Sequence, residues 1–298
     1  MDRASKVKAW ANYIKSQEWV FEDTASIGKA NNLHDLLTSI PCFNSGELAN
    51  RLSRNILPLG FHFLYNNSSN IHLGADGYDN YQAPIDMQNG SELFSRRMWV
   101  GGNVTFFGHP IALNSSLTCK ELVKSVRHLG ASAFVSIDRS FYDKHSCLLL
   151  RENRNLVYTN TRHKPKSSTL ENAFSSLCDI EDEKRVTLSL SMEQIMKYSF
   201  LTYNMHKIHY DRQYCAAQEH LPNILVQGPF MVTLLLYWFN LNNTAPGALS
   251  FSYKNPEPCF ENDCLTLSFA KRDNRDYRMG IFNANNTKRF LVGSLKLN

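Results

Sequence analysis

Apolar residues recur at helical spacing over residues 24–40, TASIGKANNLHDLLTSI. Ala25, Ile27, Ala30, Leu33, Leu36, Leu37 and Ile40 mark one buried helix face. The stretch before it, MDRASKVKAWANYIKSQEW, also carries apolar residues at helical intervals and predicts an ordinary first helix. Arg3, Lys6, Lys8 and Lys15 would suit an organelle-targeting helix, but Asp2 and Glu18 count against one. Residues 54–65 hold Pro58 and Gly60 ahead of Phe61, Phe63 and Leu64, a turn into a strand or buried segment. The Asn-, Ser-, Gly- and Tyr-rich stretch 66–95 predicts a long loop, a feature that is often functional. From there the period changes to two. Val104 and Phe106 alternate with their neighbours, with Gly101-Gly102 as a bulge or close approach. Residues 117–127, 131–138 and 146–159 read as further strands, the last with a turn at Glu152–Asn155. A helix followed by closely spaced strands predicts an α+β layer, an antiparallel sheet wrapped on a helix.

The pattern then repeats. Residues 162–185 are charged and Ser-rich and read as a linker between a first domain, 1–161, and a second, 186–298. Asp211 is placed to cap a helix over Arg212–Glu219, which Leu221-Pro222 ends. Gly228-Pro229 opens FMVTLLLYWFNL, apolar on nearly all sides, so a sheet should wrap it. ALSFSYKNPEPCF, CLTLSFAKRD and YRMGIFNANNTKRFLVGSLKLN follow as strands. Each half thus reads as one main helix plus an antiparallel sheet. We read this as a duplication with one active copy, because the first half shows no cluster of catalytic residue types.

Composition narrows the function. The 298 residues are 43% hydrophobic and 20% charged, enough for a real core. The net charge of +5 comes without a dense Lys/Arg block, which argues against nucleic acid and suits an acidic partner or phosphate-bearing substrate. Seven scattered cysteines with no CxxC suggest neither a disulfide framework nor a zinc site. The apolar run near Phe230–Phe239 is far short of the roughly 20 residues that span a bilayer.

Polar chemistry concentrates in YSFLTYNMHKIHYDRQYC and the later ILVQGPFMVTLL. The Gly228 helix start presents free N–H groups and a positive dipole end that can stabilise charge on a carbonyl oxygen. Set against it, His209 can serve as general base or acid. His206 reads as structural and Asp211 as a cap, while Tyr210 and Tyr214 read as core or pocket wall. His206 and His209 have no further ligand spacing, so no metal site is expected.

These two segments resemble the catalytic motif of the MaoC-like (R)-specific hydratases and dehydratases, above all the fungal mitochondrial type 2 hydroxyacyl-thioester dehydratases and bacterial mesaconyl-CoA hydratase-like proteins. LPLGFHFLY, LGADGYDNYQAP and RRMWVGG carry a second match in the other half. The resemblance implies a double hotdog, two long helices each wrapped by a curved antiparallel sheet. It implies reversible dehydration of a (3R)-3-hydroxyacyl thioester to a trans-2-enoyl thioester in mitochondrial type II fatty acid synthesis. No cofactor is implied. The substrate would ride on acyl carrier protein or coenzyme A, and the chain would be a pseudo-dimer in itself, with a homodimer left open. Carried over by motif, His209 is the catalytic histidine, Asn204 stands where the broader group has a catalytic aspartate, and Gly228 offers the N–H that polarises the thioester carbonyl. Arg97, Trp99, Tyr210 and Gln227 are the expected substrate-binding residues, with a structural ion pair the competing role for Arg97. Two other functions stay open: hydration of a short dicarboxylic acyl-CoA, favoured by a cationic group deep in the pocket, and a non-catalytic acyl-thioester-binding subunit.

Overall fold

A computed structural model describes residues 2–43, 55–68, 73–164, 183–243 and 247–298. The expected first helix forms as α1 (Arg3–Ile14). Asp2 caps it by accepting from the Ser5 amide at 2.8 Å, and Val7, Trp10, Ala11 and Ile14 share its buried face. β1 (Glu18–Thr24) precedes α2 (Ile27–Thr38), whose Ala30, Leu33, Leu36 and Leu37 are buried as their spacing predicts. Pro58 and Gly60 lead into a buried 3₁₀ turn, Phe61–Leu64, rather than a strand. Gly60 is left-handed there (φ +84°), and a Cβ on it would sit 3.1 Å from the Thr233 backbone. Residues 69–72 of the long loop, and 165–182 of the expected linker, lie outside the described residues.

Four long strands complete the first half: β2 (Arg96–Phe107), β3 (Ser116–Leu129), β4 (Ser132–Tyr142) and β5 (Leu148–Thr159). β2 shifts register between Trp99 and Gly101, at the expected bulge. β5 runs unbroken through Glu152–Asn155, where a turn was expected. That polar run looks like a turn in sequence. In the fold, Glu152 is buried and its charge is met by Arg139 and Arg154.

In the second half, β6 (Lys184–Leu188) leads to α3 (Met192–Leu201), a helix that the one-helix reading omitted. Its start is a capping box, Ser191 with Gln194, the S-x-x-Q signature that was there to be read. The helix expected over Arg212–Glu219 is α4 (Arg212–Tyr214) continued as a π-helix, Cys215–Glu219, and closed by His220 in the left-handed region. α5 (Gly228–Asn242) starts at the predicted Gly-Pro. β7 (Ala248–Lys254), β8 (Leu265–Lys271), β9 (Asp276–Asn283) and β10 (Arg289–Leu297) follow.

The ten strands among the described residues form one antiparallel sheet in the order β1-β3-β4-β5-β2-β7-β10-β9-β8-β6. Each half therefore has the same internal order, first-third-fourth-fifth-second, and the halves join edge to edge through β2 and β7. This is the α+β double hotdog. The helices differ in length: α5 has 15 residues, α2 has 12, and among the described residues the first half has no helix as long as α5. One core runs through both halves, with α5 at its centre and Leu33, Leu37, Phe61, Leu117 and Phe141 from the first half joined to it. A smaller core seats α1 on Val123, Val135 and Ile137.

Candidate active site

The end of α3 sets the first reactive group. Tyr203 turns left-handed (φ +57°), the Tyr203 amide donates to Phe200 O at 3.5 Å and the Asn204 amide to Ser199 O at 2.9 Å. This is a Schellman closure with tyrosine where glycine is usual, so no glycine marks it in sequence. Asn204 then accepts from the His206 amide through Oδ1 at 3.2 Å, which leaves its NH₂ as the free donor.

His209 ends a 3₁₀ turn, Lys207–His209. Its Nδ1 lies 2.7 Å from the Leu225 carbonyl, which can only accept. Nδ1 therefore carries the proton, and Nε2 keeps the lone pair that a base needs. Burial pushes His209 down to about 4, against the opposing pull of the Leu225 carbonyl, so the ring is neutral at ordinary pH. His206 is driven well below its usual value by burial, then by His209, Arg97 and Arg96. Asp76 stands 3.6 Å from its Nε2, but Arg97 engages the same carboxylate oxygen at 3.0 Å, so His206 is neutral too.

Gly228 is the first residue of α5, where helix amides have no partner within the helix. A Cβ there would lie 2.8 Å from Asn255 Nδ2 and 3.4 Å from the Trp99 ring, so the wall closes tightly over the glycine. Trp99 is held by its Nε1 hydrogen bond to Tyr253 Oη at 3.0 Å and by the Arg154 guanidinium 4.9 Å from its ring centre.

His209, Asn204 and Gly228 line one cavity of about 360 Å³. It runs from Pro256–Pro258 in the second half to Tyr81, Gln82, Ile137 and Tyr158 in the first. Of the expected substrate-binding residues, Trp99 and Arg97 line it, whereas Tyr210 and Gln227 do not. Gln227 instead donates to Ile195 O at 2.9 Å and Ser199 Oγ at 2.7 Å, pinning α3 to the start of α5. Tyr210 lies beside Gly77. Arg97 donates to Asp76, to the Asp79 carbonyl and to Asn80, which ties down the long loop. The long loop contributes Tyr78, Asp79, Tyr81 and Gln82 to the wall.

The first half also gathers charges that sequence reading left scattered. Arg139, 1% exposed, lies 2.7 Å from Glu121 and 3.3 Å from Glu152, and Arg154 forks onto Glu152 at 2.7 and 3.0 Å. The Glu121 contact is an ion pair without hydrogen-bond alignment. Burial would raise Glu152, but Arg154 and Arg139 outweigh it and hold the carboxyl near 2.

The buried histidines make stability depend on pH. His62, lowered to about 4 by burial, joins His206 and His209. Below about 6.5 the unfolded chain binds protons that these native rings refuse. Their contribution is complete above that pH and is lost as pH falls from 6.5 towards 4. Each ring adds a slope of up to about 1.4 kcal/mol per pH unit. Asp79, raised by burial to about 6, opposes this as one group against three. Urea unfolding at pH 5 will show a lower midpoint than at pH 7.5; equal midpoints would mean that the rings are charged in the native state.

The hydroxyacyl-thioester dehydratase type 2 family matches residues 60–261. The mitochondrial hydroxyacyl-thioester dehydratase type 2 of Saccharomyces cerevisiae is 29% identical over 231 residues, 74% of this chain and 78% of that protein. Mesaconyl-C(4)-CoA hydratase of Chloroflexus aurantiacus is 26% identical over 172 residues, 56% of this chain and 59% of that protein. The crystal structure of a MaoC-like dehydratase from Phytophthora capsici superposes with a TM-score of 0.69 at 11% identity, covering 96% of this chain and 97% of that one, a likeness of fold.

Proposed function

Because the chain belongs to the hydroxyacyl-thioester dehydratase type 2 family, we propose that it removes water from (3R)-3-hydroxyacyl thioesters on the mitochondrial acyl carrier protein, yielding trans-2-enoyl thioesters for fatty acid synthesis. It is a hydro-lyase that acts in mitochondria. The observation that carries the reading is the shared cavity of His209, Asn204 and Gly228. In it, the thioester carbonyl faces the Gly228 N–H at the positive end of α5, and the C2 proton becomes acidic. His209 Nε2 takes that proton. The Asn204 NH₂ donates to the C3 oxygen and orients it. The second hotdog (186–298) supplies these groups, and the first (1–161) shapes the acyl end. A net charge of +5 suits an acidic carrier.

One observation favours a second substrate. Arg154 lines the first-half end of the cavity, a cationic group of the kind that a dicarboxylic acyl-CoA would seek, although Glu152 already takes two of its N–H groups. Hydration of crotonyl-CoA, mesaconyl-CoA and crotonyl-acyl carrier protein, followed by loss of enoyl absorbance and chiral analysis, separates the cases. We expect the carrier-bound crotonyl group to react fastest and to give the (3R) alcohol. A preference for mesaconyl-CoA would support the second substrate, and inertness towards all three would leave a binding subunit.

A further inference from the structure

Water leaves from C3, so the departing oxygen needs a proton. Asn204 can donate a hydrogen bond but cannot surrender a proton at neutral pH. His209 begins neutral, with its only proton committed to the Leu225 carbonyl. Three carboxylate residues line the same cavity: Glu219 is paired with Arg96, Glu257 accepts from the Arg289 amide, and Asp79 comes from the other half of the chain. Asp79 lies on the long loop and lines the cavity with His209, Asn204 and Gly228. Its neighbour Asp76 is ion-paired to Arg97, whereas the Asp79 carboxyl takes no hydrogen bond from any described residue.

The loop is also fixed to the reacting segment. The Lys207 amide donates to Asp76 O at 2.8 Å, Lys207 Nζ to Ala75 O at 2.8 Å, and Arg97 to Asp79 O at 2.7 Å. Residues 75–76 are thereby held against the turn that carries His209, and Asp79 is held to β2 by Arg97, so the loop that carries Asp79 is fixed through its backbone carbonyls.

We propose that Asp79 is the acid that protonates the departing C3 hydroxyl, making the active site a product of both hotdog halves. This rests on the dehydratase reading above. In the forward step the C2–H bond breaks and its proton goes to His209 Nε2. The freed electron pair forms the C2=C3 bond, the C3–O bond breaks, and the oxygen leaves as water with the Asp79 proton. Transfer of a proton from the His209 imidazolium to the Asp79 carboxylate, through water, restores the start. Hydration runs the same steps backwards.

The surroundings of Asp79 favour its protonated form below about pH 6. Burial raises it to about 6; Arg97 and Arg154 pull down, while Glu121 and Asp76 push up. Tyr78 and Tyr158, both raised by burial, stay neutral beside it.

The test is the pH profile of crotonyl-CoA hydration and 3-hydroxybutyryl-CoA dehydration by wild type, Asp79→Asn and Asp79→Glu. The overall equilibrium does not depend on pH, so kcat/KM in both directions must fall together above about pH 6 in the wild type. Asp79→Asn is expected to lower kcat by about 100-fold, leave KM within about threefold, and abolish that limb. Asp79→Glu should keep the limb with part of the activity. Asp79→Asn within about threefold of wild type would overturn the proposal, as would a loss of activity that leaves the limb in place. A wild-type protein inert towards these thioesters would instead overturn the dehydratase reading.

Discussion

His209→Ala lowers kcat for dehydration by about 100-fold or more while leaving the fold intact. The argument is one of proton inventory. Nδ1 is occupied by the Leu225 carbonyl at 2.7 Å, so Nε2 keeps the lone pair of a ring that lines the cavity. Burial holds the ring near 4, so it is neutral and able to accept above that pH. Its neighbour cannot substitute for it, because His206 is also neutral and stands against Asp76 and Tyr78. His209→Gln is the control for shape: it fills the site and can donate to Leu225 O, but offers no base. Steady-state rates with carrier-bound and CoA substrates, beside a thermal melt, check both variants. Full activity in His209→Ala would remove the histidine from the mechanism.

Arg139→Ala destabilises the protein by about 3 kcal/mol or more, because breaking a buried charge pair leaves its partners uncompensated. Arg139 meets Glu121 and Glu152, and donates to the Asn66 carbonyl as well. Glu152 keeps Arg154, and Glu121 keeps hydrogen bonds from Tyr81 and Gln82, so the loss falls towards the lower end of the usual range of about 3–5 kcal/mol. For a chain of this size the melting temperature drops by about 10 °C. The effect also reaches the site. Arg154 braces Trp99, and Trp99 closes over Gly228, so loosening Glu152 disturbs the cavity wall beside Gly228. Circular-dichroism melts and urea titration measure the loss. A change under about 1 kcal/mol would mean that water already solvates these charges.

Much of this was written in local patterns. The α2 face, the alternating strands, the Asp211 cap and the Gly228-Pro229 helix start each follow from a period or a cap, and the Tyr214 amide does bond Asp211 at 2.8 Å. His209 and Gly228 stood out because a reactive side chain and a helix N-terminus are local features. β5 did not, because RENRN has turn composition and becomes strand when Arg139, directly opposite on the neighbouring strand β4, meets Glu152. The start of α3 is legible through its capping box, whereas its Schellman ending is not, since tyrosine occupies the left-handed position.

The assignments of Gln227 and Tyr210 show the limit most plainly. Both sit beside motif residues in sequence, yet Gln227 turns to α3 and Tyr210 packs near Gly77, outside the cavity wall. Sequence by itself determined most of the elements and singled out His209 and the Gly228 helix start as candidates, because periodicity, capping and motif spacing act within a few residues along the chain. Tertiary structure alone decided which side chains share the cavity. Asp79, Trp99 and Arg154 share one cavity with His209, brought from the other half by the β2–β7 junction and the loop anchored by Arg97 and Lys207. Contacts at such separations depend on how strands and loops pack in three dimensions, and no local period encodes them.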